Sequence, residues 1–301
     1  MRPVFQWTLR ARALELGERT LIMGIVNVTP DSFSDGGNFI DREKAVKHGE
    51  TLLREGADII DIGGESTRPG ARVAADAASE ISNHAAVTAE QELERVIPVI
   101  TELKKTHPGI VISVDTYKAA VARVAIEAGA EIVNDVSGLL WDPQMAATIA
   151  QLKCGVVLMH MRGRPEEWRS LPPPDHVVQL VSRELKDRAD EALRAGVRRE
   201  SIVLDPGFGF GKRFDENYPL ICHFSDLQAA GFPLLAGTSR KSFLGRTLRE
   251  AGKDAPPQGR LFGTIATETA LILQGAHIVR THDVKASVEA AKVADAILHA
   301  G

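Results

Sequence analysis

Eight short apolar runs recur along this chain, each with a polar or charged residue at or just beside its end and each followed by a helical pattern. The runs are 21–28, 58–62, 110–115, 131–135, 155–160, 201–205, 232–237 and 277–282. The helical stretches that follow them are 41–55, 90–106, 118–128, 143–153, 175–195, 215–230, 260–274 and 284–299. Runs this short and rich in Val and Ile read as parallel strands covered on both faces. Eight strand–helix units with no second compositional region specify an α/β fold, the (β/α)8 or TIM barrel. The 301 residues fit one barrel domain over 1–301. A doubly wound open sheet is the alternative, but it explains neither the count nor the lack of G-x-G-x-x-G after the first strand.

The joints repeat as well. Gly56-Ala57-Asp58-Ile59-Ile60-Asp61 recurs as Gly129-Ala130-Glu131-Ile132-Val133-Asn134 and as Gly275-Ala276-His277-Ile278-Val279-Arg280. Each Gly can take the left-handed conformation that stops a helix, and a strand follows at once. Residues 1–20 hold two short alternating segments around a turn, which predicts a capping hairpin without chemistry of its own. Pro98 falls inside a helical pattern and predicts a kink or a late helix start. Residues 63–89 and 161–174 are long for barrel loops. The first begins at a strand's C-terminal end and is a lid candidate.

Composition narrows the function classes. A net charge of −4 leaves no footprint for nucleic acid or an anionic membrane. No apolar run is long enough to span a bilayer, and the start lacks an apolar signal core, so a cytoplasmic protein is expected. Cys154 and Cys222 stand beside apolar residues, without a Cys-x-x-Cys, and read as buried thiols in a reducing compartment.

A closed barrel gathers its strand ends at one mouth. The residues brought there are Asn27, Glu65, Asp115, Asn134, His160, Asp205, Lys241, Arg280 and His282. Asp115, Asn134 and Asp205 are rich in acceptors and suit a flat ligand edge carrying several N–H donors. Lys241 suits a carbonyl or ring nitrogen of the same ligand. Arg280, His282 and Asn27 suit a phosphate or diphosphate and its metal, because an amide oxygen is a hard ligand for Mg2+. Two residues also have a scaffold reading: Asp115 as a helix N-cap before Thr116, and His160, for which it is the favoured one, as a satisfied core histidine. The stretch from Asp205 to Lys212 is rich in Gly but is not a phosphate loop, since Arg213 follows Gly211-Lys212. Neither His-x-His on the first strand nor His-Glu-x-x-His is present, which disfavours a zinc hydrolase.

Six motifs in register carry a family resemblance. They are Asn27-Val28-Thr29-Pro30-Asp31-Ser32-Phe33-Ser34-Asp35-Gly36-Gly37, Gly64-Glu65-Ser66-Thr67-Arg68-Pro69-Gly70, Asn134-Asp135-Val136-Ser137-Gly138, the Asp205-to-Lys212 stretch, Ser239-Arg240-Lys241-Ser242 and Arg280-Thr281-His282-Asp283-Val284. Together, from about residue 12 to the C-terminus, they resemble the dihydropteroate synthases. The resemblance implies a folate-pathway transferase joining the activated methyl of a dihydropterin diphosphate to the amine of 4-aminobenzoate. It implies that Asp115, Asn134, Asp205 and Lys241 hold the pterin, with Met159 and Phe210 against its faces. Asn27 would reach Mg2+ on the diphosphate, which Thr67, Arg280 and His282 would hold. Loops 29–39 and 63–70 would close over the site, Arg68 helping to draw the second across. Phe33, Pro69 and Ser242 would shape the 4-aminobenzoate pocket, where sulfonamides act. Asp35 and Asp205 would face the developing cation.

Three departures accompany the likeness: a longer tract at 71–89, Thr281 where the family usually has Val, and Glu166-Glu167-Trp168 after His160-Met161. A barrel moving methyl from methyltetrahydrofolate to a corrinoid would share Asp115, Asn134 and Asp205, but needs neither the 29–37 loop nor 239–242. A non-catalytic pterin-binding paralogue is the other alternative. Finally, residues 261–266 and 271–273 are apolar on more than one helix face, which with the resemblance predicts a homodimer.

Overall fold

The computed structural model describes residues 2–29, 38–66, 87–168 and 170–301, without the side chains of 38–41. Two antiparallel strands come first, β1 (Phe5–Thr8) and β2 (Ala13–Leu16), in the register Phe5 to Leu16. Eight parallel strands follow among the described residues: β3 (Leu21–Asn27), β4 (Ile59–Gly63), β5 (Val111–Asp115), β6 (Ile132–Asp135), β7 (Gly155–Met159), β8 (Ile202–Asp205), β9 (Leu235–Ala236) and β10 (Ile278–Thr281). Their order, β8-β7-β6-β5-β4-β3-β10-β9, is sequential around a ring. The ring closes where Leu204 N–H donates to Pro233 O at 3.0 Å beside a Leu204–Leu234 bridge.

The helices are α1 (Asn38–Glu55), α2 (Ala89–Thr106), α3 (Ala119–Glu127), α4 (Met145–Leu152), α5 (Val177–Arg194), α6 (Asn217–Cys222), α7 (Ser242–Thr247), α8 (Leu261–Leu273) and α9 (Val284–Ala300). The expected 215–230 helix breaks into α6 and a 3-10 turn, Phe224–Ala230. Helix α7 was not foreseen. Pro98 does not delay α2: a capping box between Thr88 and Gln91 starts the helix at Ala89, and it runs through the proline. Asp115 is not an N-cap either, since α3 receives its capping oxygen from Asp142, 2.7 Å from the Ala119 N–H. The expectation of two buried thiols holds for Cys154 and fails for Cys222, which sits exposed at the end of α6.

Successive strand residues face opposite sides, so each strand feeds two cores. Outward residues such as Ile60, Ile62, Val114, Val133, Leu158 and Val279 pack beneath the helices. Inward residues at the lower end, among them Met23, Ile59, Val111, Ile132, Val203 and Ile278, pack with Trp7, Leu9 and Leu16. The hairpin therefore plugs the bottom of the barrel. Trp7 is fully buried, and its indole N–H donates to Ser201 O at 2.9 Å.

Candidate active site

Above that plug the inward positions turn polar. Ile59 gives way to Asp61, Val111 to Ser113 and Asp115, Ile132 to Asn134, Val203 to Asp205 and Ile278 to Arg280. The two-residue period stacks these polar residues above the apolar ones on the same inward face. Strand register then sets their level: Gly63 pairs with Asp115, Asp115 with Asn134, and Met159 with Asp205. A polar shelf thus rests on the apolar plug at the C-terminal end of the barrel, where TIM barrels carry their chemistry.

Arg280 binds the shelf together. Its Nε donates to Asp61 Oδ2 at 2.6 Å and its NH2 group to Asp115 Oδ2 at 2.7 Å. Asn134 Nδ2 donates to the same Asp61 oxygen at 3.1 Å. Asn134 Oδ1 and Asp61 Oδ1 are buried and take no hydrogen bond among the described residues. Burial pushes the Asp115 carboxyl up to about 7 even with Arg280 against it. Burial raises Asp205 too, opposed by the Gly207 N–H and by Lys241. The two carboxylates sharing Arg280 hold it firmly as a cation.

The Gly-rich loop after β8 owes its shape to backbone and one lysine. Asp205 Oδ1 accepts the Gly207 N–H at 2.7 Å. Gly207 has φ +63°, and a Cβ there would lie 2.0 Å from His160 O, so no side chain fits. Lys212, buried beneath the loop, donates to Gly207 O at 2.8 Å, Phe210 O at 3.2 Å and His160 O at 3.3 Å. Burial pushes its ammonium down to about 7. Lys212 is a clamp for the loop, not a ligand group. Lys241 Nζ stands 3.8 Å from the Phe210 ring centre, a cation–π contact. Phe210 also meets Trp168 edge-on at 5.6 Å, beside an apolar group that contains Met159. Trp168 is thus part of the mouth wall, which the sequence reading missed.

At the end of β10 the His282 backbone N–H donates to Ser239 Oγ at 3.1 Å, and that oxygen lies 3.0 Å from His282 Nδ1. A hydroxyl that accepts the backbone N–H has one proton to give, and giving it to Nδ1 leaves Nε2 as the N–H donor. Burial, with Arg280, Arg240 and Lys241 nearby, pushes His282 down to about 3, so the ring is neutral. Arg240 adopts φ +56° and is fixed by Asp283, 2.9 Å from its Nε, and by Thr264 Oγ1, 3.0 Å from its backbone N–H. Asn27 is half-buried at the tip of β3, paired in register with Gly63. Ser242 is exposed at the start of α7.

Two rim candidates belong to the scaffold. His160 sends its ring outward, with Nε2 3.0 Å from Glu184 Oε2 on α5, beside a cavity of about 280 Å3 on that face. Glu65 joins Glu92 around Lys118 Nζ, each 2.5 Å away, and Glu65 Oε1 accepts the Tyr117 hydroxyl at 3.3 Å. Phe33, Asp35, Thr67, Arg68 and Pro69 lie outside the described residues. Asp61 escaped the sequence reading because it precedes the strand tip; only its inward parity with Ile59 marks it. Among the described residues no group of three or more His, Cys, Asp or Glu is placed to hold a metal ion.

The family model described as pterin binding enzyme matches residues 23–282. The dihydropteroate synthase of Synechocystis sp. is 44% identical over 282 residues, covering 93% of this chain and 91% of the relative. The structure of Xanthomonas albilineans dihydropteroate synthase with 4-aminobenzoic acid superposes with a TM-score of 0.85 at 43% identity, covering 98% and 99% of the two chains. The Yersinia pestis dihydropteroate synthase in complex with a sulfonamide drug gives 0.84 at 40% identity, covering 98% of this chain and all of the other.

Proposed function

The chain belongs to the dihydropteroate synthases, within the pterin-binding enzymes, and from that premise we propose how its barrel mouth performs their condensation. The reaction joins (7,8-dihydropterin-6-yl)methyl diphosphate and 4-aminobenzoate to give 7,8-dihydropteroate and diphosphate. The observation that carries the assignment of parts is the acceptor shelf: Asp115, Asp205 and a buried Asn134 Oδ1 with no partner among the described residues. Such a set is costly in a barrel interior unless a donor-bearing ligand completes it. The edge of a pterin, with its ring N–H and amino groups, is such a ligand. Lys241 beside Phe210 supplies the complementary donor, and Met159 and Phe210 supply apolar faces.

The chemistry follows from charge. The methylene C–O bond breaks, its electron pair leaves with the diphosphate, and positive charge spreads into the pterin ring. Asp205 and Asp115 oppose that charge from a site shielded from water. The Nε2–H of neutral His282 meets the leaving oxygens, and Arg280 stands between the two poles. The 4-aminobenzoate nitrogen then forms the new C–N bond and gives up one proton. No protein nucleophile is required.

Magnesium fits the donor set. Asn27 offers one hard oxygen at the rim, and Mg2+ characteristically combines one or two protein oxygens with substrate phosphates and waters. When bound it would neutralise the diphosphate. A homodimer is supported by α8 and α9, which expose Phe262 at 87%, Val293 at 62% and Ile297 at 53%. Among the described residues no helix is long and apolar enough to cross a membrane, and the expected cytoplasmic location is kept as part of this proposal.

Calorimetry with the dihydropterin alcohol and with its diphosphate, each with and without Mg2+, tests the two-pole arrangement. The alcohol should bind the shelf equally in both conditions, and the diphosphate should gain affinity only with Mg2+. A diphosphate that binds no better than the alcohol in Mg2+ would remove the anion pole.

A further inference from the structure

We propose that Asp61 is the positioning residue of the pterin shelf: it decides which atom of the Asn134 amide faces the ligand and where the Arg280 guanidinium stands. The proposal rests on reading the shelf as a pterin site. Asp61 lies in the middle of β4, below the strand tips, with no exposed surface. Its Oδ2 receives Arg280 Nε at 2.6 Å and Asn134 Nδ2 at 3.1 Å.

A carboxylate that faces a guanidinium offers only lone pairs to a third group. The Asn134 amide must therefore turn its NH2 down toward Asp61, which leaves Oδ1 turned the other way. That oxygen is buried and takes no hydrogen bond among the described residues. An amide is nearly symmetric in shape, so nothing in packing alone distinguishes its two orientations. Without Asp61 the flipped form would set an NH2 group against a ligand edge that itself carries N–H groups. Recognition at Asn134 is in this sense decided one layer below it.

The same carboxylate governs Arg280. Nε on Asp61 and NH2 on Asp115 hold the guanidinium at two points on two strands, β4 and β5. Loss of the lower point would free the group to rotate about its bond to Asp115. The acceptor strength of Asp115 would then vary with that rotation.

The experiment compares Asp61→Asn, Asn134→Asp and the double variant for dihydropterin affinity by calorimetry, with the KM for 4-aminobenzoate measured alongside. Each single change should weaken dihydropterin about tenfold or more, the cost of one mispaired buried group. In Asp61→Asn the amides compete for orientation; in Asn134→Asp a fourth carboxylate joins Asp61, Asp115 and Asp205. The double variant restores one donor at 61 facing an acceptor at 134, with oxygen again toward the ligand. It should bind at least about threefold better than the product of the two losses. The KM for 4-aminobenzoate should stay put throughout, which a general loosening of the barrel would not allow. Losses that simply multiply, or wild-type affinity in Asp61→Asn, would overturn the proposal.

A second measurement covers a variant that fails to fold. In the wild-type protein with dihydropterin bound, NMR should show the Asn134 NH2 protons without ligand cross-peaks. Strong cross-peaks from the ligand to those protons would place the NH2 upward and refute the assignment. A wild-type protein that binds no dihydropterin would instead sink the pterin reading, and this proposal with it.

Discussion

Asp205 is held by the Gly207 N–H at 2.7 Å and raised by burial, so its charged form depends on what the ligand gives it. Asp205→Asn keeps the shape but turns an acceptor into a donor, and should cost roughly 2–4 kcal/mol of dihydropterin binding. Calorimetry on the folded variant checks this, and unchanged affinity would remove Asp205 from the shelf. Asp115 supplies a pH signature. Its carboxyl sits at about 7, so below that pH it is increasingly protonated and accepts less well. Dihydropterin affinity should therefore fall as pH drops from 7, by at most about tenfold per pH unit, and level off above it. Asp115→Asn should flatten the profile between pH 5.5 and 8.5; a slope that survives the substitution belongs to another group. The sequence shows the tip residues readily because each ends an apolar run. It hides Asp61, Lys212 and Ser239, whose roles depend on neighbours far away in the chain.

At the scale of elements, strands β3 to β8 and β10 are legible within a residue or two because burial on both faces demands unbroken apolar runs. Strand β9 shrinks to Leu235–Ala236, since Pro233 has no N–H to give and Gly237 follows. Helix α7 went unseen because it is one short turn whose start is set by Arg240 in a left-handed conformation, a tertiary choice. The hairpin carries a testable load. Trp7 fills the barrel floor and donates to Ser201 O at 2.9 Å. Trp7→Ala should cost about 3–5 kcal/mol in denaturant unfolding, through the cavity and the lost hydrogen bond. The folded fraction should keep its affinity for dihydropterin, because the shelf lies at the other end. A loss below about 1 kcal/mol would mean the floor collapses onto the gap.

For the whole molecule, the apolar outer faces of α8 and α9 remain to be covered. Phe262 at 87% exposure is the clearest point, and the inner side of α8 meanwhile supports the 238–240 loop through Thr264 and Thr267. Light scattering at micromolar concentration should give the mass of two chains, and Phe262→Asp should shift it toward one. A wild-type monomer would rule out the dimer. The central claim, that this mouth joins a dihydropterin methylene to an arylamine, is tested most directly by turnover. The protein is incubated with (7,8-dihydropterin-6-yl)methyl diphosphate, Mg2+ and 4-aminobenzoate, and the products are separated by mass. Dihydropteroate and diphosphate should form in equal amounts, both dependent on 4-aminobenzoate and both strongly reduced in Asp205→Asn. Diphosphate release with only the hydroxymethyl pterin formed, or no release at all, would contradict it.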